Sequence, residues 1–117
     1  MADWGPVRYT YAGLREIDPQ WVAEHLEKVN VLDVRSISEY TGDLGHIANA
    51  QLIPLDELQS RLQEIPTDRP LIAVCRSGRR SAQATVLLQK HGIHQVVNLR
   101  GGMLAWQEAK LPVTRSF

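Results

Sequence analysis

The chain is poor in the residues that tie small proteins together covalently or through metals. It has one cysteine in 117 residues, which excludes an internal disulfide and any C-x-x-C pair for redox exchange or zinc. Among its histidines, His25, His91 and His94 are scattered and suggest no metal site. An excess of either charge is also missing. Thirteen lysines and arginines balance thirteen aspartates and glutamates, so no bulk field draws the protein to nucleic acid or to a membrane surface. No apolar run approaches membrane-spanning length. The first residues, Met1 to Pro6, lack the basic-then-apolar pattern of a secretory signal. These absences point to a cytoplasmic, reducing setting that suits a free thiol, with no nucleic-acid or membrane partner. Repeats, low-complexity tracts and linkers are absent as well. The apolar fraction of 44% is ordinary, and a single domain over residues 1–117 can bury roughly two-thirds of its unfolded surface without metal or disulfide.

What is present is an alternation of short apolar runs and helical patterns. Residues 1–13, with Trp4, Tyr9 and Tyr11, read as an irregular aromatic extension packed on the domain. Leu14 to Ile17 reads as a first strand, and Asp18-Pro19 as a helix start with Asp18 as cap. Val22, Leu26 and Val29 lie on one helical face. Val29 to Val34 reads as a strand; Ser36-Ile37-Ser38-Glu39 is a capping box for a short helix that Gly42 ends. Gln51 to Pro54 is a short strand. Leu55, Leu58, Leu62 and Ile65 have helical spacing, and Leu71 to Val74 is a continuous apolar strand. Ser81 to His91 reads as a helix with Ala84, Leu87, Leu88 and His91 on one face, capped by Gly92. Gln95 to Leu99 is the fifth strand, and Gly101-Gly102 leads into a last helix carrying Met103, Trp106 and Ala109. The fold class expected is α/β in three layers, a parallel five-stranded sheet with helices on both faces. Ligands of such folds sit at the carboxyl ends of strands.

Cys75 falls at such an end. It follows Leu71-Ile72-Ala73-Val74 and precedes Arg76-Ser77-Gly78-Arg79-Arg80-Ser81. A thiol between a buried strand and a helix N-terminus has the helix dipole, free backbone N–H groups and guanidinium charge to favour its thiolate. The loop 75–80 is short enough to turn several N–H groups toward one point. It would form an anion-binding cup with the sulfur at its floor. Gly78 permits the sharp turn, Ser77 adds a hydroxyl donor, and Arg76, Arg79 and Arg80 supply charge, though all three need not point inward. The same donors would stabilise a persulfide. The bland alternative is an inert buried thiol, and the functional reading requires a sulfur that solvent can reach.

The stretch Val74 to Ala82 resembles the active loop of the rhodaneses, a sulfurtransferase family. Asp33-Val34-Arg35 with Glu39-Tyr40, then Gly45-His46-Ile47 with Ala50 and Ile53-Pro54, is similar to that family's first signature. Leu99, Gly101-Gly102 and Trp106 resemble its closing segment. The motifs occur in the right order from about residue 17 to 113 and are specific together, though each alone is weak. The resemblance implies that Cys75 accepts a sulfane sulfur from a small anionic donor such as thiosulfate. As a persulfide, it then passes that sulfur to cyanide or a thiol, in two half-reactions and without a cofactor or metal. Asp43-Leu44 before Gly45, and Asn49-Ala50-Gln51, depart modestly from the family pattern.

Other residues admit two readings. Asp33 and Arg35 form either an acid–base pair or, the reading preferred, a structural ion pair near the site. His46 is read as a turn-stabilising residue rather than a base, because a thiolate held by its loop needs none. Arg76, next to the nucleophile, suits two parallel hydrogen bonds to a sulfonate-type oxygen pair, or else sits solvated at the rim. Gly101-Gly102 is read as a tight turn beside the active loop. Three rival functions remain. Related phosphatases and arsenate reductases share the scaffold, but the cell-division-cycle phosphatases have an active loop one residue longer. A binding module without activity would typically lack the cysteine. A sulfur carrier would keep the chemistry and dock on a protein acceptor.

Overall fold

The computed structural model of the chain describes residues 7–9 and 13–116. Six strands form one sheet: β1 (Arg8–Tyr9), β2 (Arg15–Ile17), β3 (Asn30–Asp33), β4 (Gln51–Leu52), β5 (Leu71–Val74) and β6 (Val96–Leu99), in the order β1-β2-β6-β5-β3-β4. The pairs β2–β6, β6–β5, β5–β3 and β3–β4 are parallel. These are the five expected strands. The sixth, β1, is antiparallel to β2 and adds an edge. It arises in the segment read as irregular, and Tyr9 there is 69% exposed rather than packed on the domain. The expectation for Trp4 and Tyr11 lies outside the described residues.

Among the described residues, four α-helices lie between strands, α1 (Pro19–Glu24), α2 (Ile37–Tyr40), α3 (Leu55–Leu58) and α4 (Arg79–Lys90), and α5 (Gly102–Glu108) follows β6. Side chains alternate across the sheet and so build two cores. Ile72 and Val74 of β5, Val97 and Leu99 of β6 and Val31 of β3 join Val22, Tyr40, Met103 and Trp106 on one face. Leu71, Ala73 and Cys75, with Leu32, Val34 and Val96, meet Leu58, Ala84 and Leu88 on the other. Helices thus cover both faces, the three layers expected.

Two helical runs are shorter than their spacing suggests. The face Val22–Leu26–Val29 is split: α1 stops at Glu24, Leu26–Lys28 is a 3₁₀ turn, and Val29 is already extended. The chain must straighten there because Asn30 enters the sheet through its N–H to the Pro70 carbonyl, 2.9 Å. Likewise α3 passes into a 3₁₀ segment, Gln59–Glu64, broken at Arg61 (φ −125°). Asp18 precedes Pro19 as expected, but its side chain caps nothing; it accepts from Arg8 at 3.1 Å. The capping box of α2 is present in both directions. His91, placed on one helical face with Ala84, Leu87 and Leu88, is exposed at the C-cap of α4.

The last helix is pressed against the end of β5. The N–H groups of Met103 and Leu104, free in the first turn of α5, donate to the Cys75 and Arg76 carbonyls at 2.9 and 3.0 Å. Gly102 allows this approach. It has φ +61°, and a Cβ there would lie 2.5 Å from both carbonyl oxygens. Gly102→Ala is therefore expected to cost at least about 2 kcal/mol in urea unfolding, more than alanine at Gly13, where φ is also positive but nothing stands within 4 Å of a Cβ.

Candidate active site

Cys75 directly follows β5, and only residues 76–78 separate it from α4, because the helix begins at Arg79, two residues before the expected start. Gly78 is the N-cap of α4 with φ +102°, a conformation that favours glycine. This turn folds the loop back so that the Gly78 N–H donates to Cys75 Sγ at 3.0 Å. One turn into α4, the Ser81 hydroxyl lies 3.3 Å from the same sulfur. A main-chain N–H and a side-chain O–H thus face the sulfur beside the positive end of a 12-residue helix.

The cup differs from expectation in three ways. Cys75 is 0% exposed, so the sulfur is sealed in this conformation, not open at the floor of a cup; the backward fold at Gly78 closes over it. The hydroxyl at the sulfur belongs to Ser81, not Ser77; Ser77 is exposed. Arg79 and Arg80 lie in the first turn of α4 and do not ring the loop. Arg79 is exposed. The fork of Arg80 is occupied by Glu39 of α2, in two parallel bonds of 2.7 Å each. Arg76 is exposed and lines a surface cavity of about 320 Å³ with Arg35, Ser38, Glu39, Asp43 and Leu44.

The neighbouring signature residues hold the frame. Asp33 and Arg35, each 1% exposed, form a doubly bonded pair: Nε donates to Oδ1 at 2.9 Å and Nη2 to Oδ2 at 2.7 Å. The same guanidinium donates to the carbonyls of Gly45 and Glu39, so the pair ties the end of β3 to the α2–β4 connection. His46 stacks on Tyr40 with ring centroids 3.5 Å apart. Its Nδ1 lies 2.7 Å from the Tyr40 carbonyl, and its backbone bridges to Thr114. Gly101-Gly102 is the tight turn beside the loop. Asn98, passed over in the apolar run of β6, reaches the site: it contacts Ser81 and the Gly78 carbonyl. A lone carboxamide within Val96-Val97-Asn98-Leu99 was the signal. Among the described residues, no group of three or more histidine, cysteine or acidic side chains is placed to hold a metal, and no helix is long and apolar enough to cross a membrane.

A model of the Rhodanese-like domain matches residues 18–109. The chain belongs to the rhodanese-like family. Among curated proteins it is 38% identical over 103 residues to a "Sulfurtransferase" of Allochromatium vinosum, covering 86% of this chain and 94% of that one. Among solved structures it superposes on a rhodanese-related protein of Thermoplasma volcanium with TM-score 0.80 and 32% identity, covering 86% and 98% of the two chains. It also matches an NAD-dependent persulfide reductase of A. fulgidus (TM-score 0.60, 36% identity), covering 70% of this chain but 14% of that larger protein.

The Arg80–Glu39 contact links the site to pH. The two hydrogen bonds from Arg80 are the main cause that holds the Glu39 carboxyl down from 4.5 to about 2, with the Ser36 N–H adding to it. Between those values the unfolded chain takes up a proton that the native state refuses. The stability this contact contributes is therefore fully present above about pH 4.5 and is lost as pH drops toward 2. Glu39→Gln should flatten this acid limb by about 1–2 kcal/mol in denaturant titrations at pH 5 and pH 2.5. For the deeper pair, Asp33→Ala strands the Arg35 charge and is expected to cost about 3–5 kcal/mol by chemical unfolding at pH 7.

Proposed function

We propose that this rhodanese-like chain is a sulfurtransferase in which Cys75 carries the sulfur. The observation that carries this reading is the sulfur's position. It stands at the carboxyl end of a central strand, beside a helix N-terminus, with the Gly78 N–H and the Ser81 hydroxyl directed at it. An anionic sulfur gains from both donors. In the first half-reaction the Cys75 thiolate attacks the outer, sulfane sulfur of thiosulfate. A Cys–S–S bond forms, and the bond to the sulfonate sulfur breaks with its electron pair, releasing sulfite. In the second, an acceptor thiolate or cyanide attacks the outer sulfur of the persulfide, and Cys75 leaves as thiolate. The products are an acceptor persulfide or thiocyanate. Two half-reactions through one covalent intermediate require ping-pong kinetics. A thiol on a protein offers the same nucleophile as a small thiol, so a protein acceptor fits the chemistry equally well.

A sulfur with no exposed surface cannot meet a donor, so the turn at residues 76–78 must lift during the cycle. Ser77 is the exposed middle of that turn; lifting Arg76 breaks the hydrogen bond its carbonyl accepts from the Leu104 N–H, and lifting Gly78 releases its N–H from the sulfur. Arg76 beside the 320 Å³ cavity is the cation placed to receive the donor's sulfonate oxygens. Arg80 is committed to Glu39. A turn of only three residues before α4, with Arg80 engaged by Glu39, leaves little room for a tetrahedral phosphate, which disfavours phosphatase chemistry.

Incubation with thiosulfate should add the mass of one sulfur atom to the intact protein. Cys75→Ser should abolish both that adduct and thiocyanate release while leaving the circular dichroism spectrum unchanged; retained transfer in the variant would remove the mechanism. Arg76→Ala is expected to raise the thiosulfate KM by about tenfold with a smaller effect on kcat, as when ground-state binding is lost. An unchanged KM would place Arg76 in solvent throughout the cycle. Hydrolysis of an aryl phosphate faster than sulfur transfer would favour the phosphatase reading instead.

A further inference from the structure

Asn98 is 1% exposed on a strand whose other positions are apolar. Alternation along β6 turns Val97 and Leu99 to one core and puts Asn98 on the side of Val96 and α4. There Nδ2 donates to the Gly78 carbonyl at 3.0 Å and lies 3.4 Å from a Glu16 carboxylate oxygen. Both partners only accept, so the orientation of the amide is determined and Oδ1 faces the Ser81 hydroxyl. Oδ1 also only accepts, so Ser81 donates to it. That hydroxyl is the group 3.3 Å from Cys75 Sγ. It has one proton and two lone pairs. With the proton on Asn98, the hydroxyl can accept from a neutral thiol; with an anionic sulfur, it turns to donate. The other donor at the sulfur, the Gly78 N–H, belongs to the residue whose carbonyl Asn98 holds.

We propose that Asn98 is a positioning residue of the sulfur site. Its Nδ2 holds the Gly78 carbonyl, and with it the N–H that donates to Cys75, while its Oδ1 keeps the Ser81 side chain within reach of the sulfur. A buried amide costs free energy unless its polar atoms are paired, and an apolar side chain would fill this layer more cheaply. The pairing of Asn98 is spent entirely on the loop, on α4 and on Glu16. Two neighbouring ion pairs are engaged with themselves, Arg80 with Glu39 and Asp33 with Arg35. The inference rests on the reading of Cys75 as the nucleophile.

The test is a double-mutant cycle with Asn98→Leu and Ser81→Ala, read by the rate of Cys75 alkylation by iodoacetamide at neutral pH and by steady-state sulfur transfer from thiosulfate. Each single variant should slow alkylation and lower kcat by about tenfold, the worth of one hydrogen bond to a charged group. The thiosulfate KM should move by less than about twofold. The double variant should be no slower than the slower single one, and Ser81→Thr, which keeps the hydroxyl, should stay near wild type. Effects that multiply, an unchanged rate, or faster alkylation would overturn the proposal; the last would make Asn98 a latch on the loop rather than an aim for its donors. If Asn98→Leu fails to fold by circular dichroism, Asn98→Ser, too short to reach the Gly78 carbonyl, is read in the same way. Wild-type protein that loads no sulfur would overturn the sulfurtransferase reading, while the alkylation cycle would still decide the role of Asn98.

Discussion

The site depends on one close approach of backbone to backbone. The carbonyls of Cys75 and Arg76 accept from the first turn of α5, and this contact exists only because Gly102 has no side chain to stand between them. Held by both carbonyls, the chain leaving β5 has its direction set before the loop begins. The positive φ of Gly78 then returns the loop toward its own start and brings an N–H onto the sulfur. Two glycines on different elements therefore fix the geometry of one thiol, the first by permitting contact and the second by permitting the turn.

Around that turn, charge works as scaffolding. The Arg80–Glu39 fork joins the first turn of α4 to α2, and Glu39 also closes the capping box with Ser36. The buried Asp33–Arg35 pair reaches the carbonyls of Gly45 and Glu39. Buried pairs of this kind return little net stability, since desolvation offsets their attraction. Their contribution here is geometric: they hold the α2–β4 connection, and with it the wall of the cavity beside Arg76. The C-terminal segment adds a clasp, with Arg115 donating to the Gly42 and Asp43 carbonyls at 3.0 and 2.5 Å. Two of the arginines at this end of the sheet, Arg35 and Arg80, are thus neutralised by carboxylates beside them.

Much of this was legible in residue order. Apolar strands alternating with helical spacing specify covered parallel sheets, because strands buried on both faces need apolar residues at consecutive positions. The capping box at Ser36 and the stop at Gly92 are local signals, and they were read correctly for that reason. The readings that failed concern elements whose boundaries answer to distant partners. The helical face through Val29 ended early because Asn30 bonds to Pro70, forty residues away in sequence. The edge strand β1 formed where sequence showed only irregular aromatics, because β2 offers it a free edge.

Local sequence by itself determined that a lone cysteine ends an apolar strand and meets a glycine-bearing turn before a helix. That juxtaposition is covalent, within a few peptide bonds, and no packing could undo it. What faces the sulfur was decided by tertiary structure alone. Ser77 is the nearer hydroxyl in sequence, yet Ser81 is the one that reaches, because the helix begins at Arg79 and its first turn carries residue 81 back toward the strand end. Arg80 turned to Glu39, forty-one residues earlier, and Asn98 arrived from a neighbouring strand. Hydrogen bonds and ion pairs act over a few ångströms of space, and only the packed sheet brings those distant residues within that range.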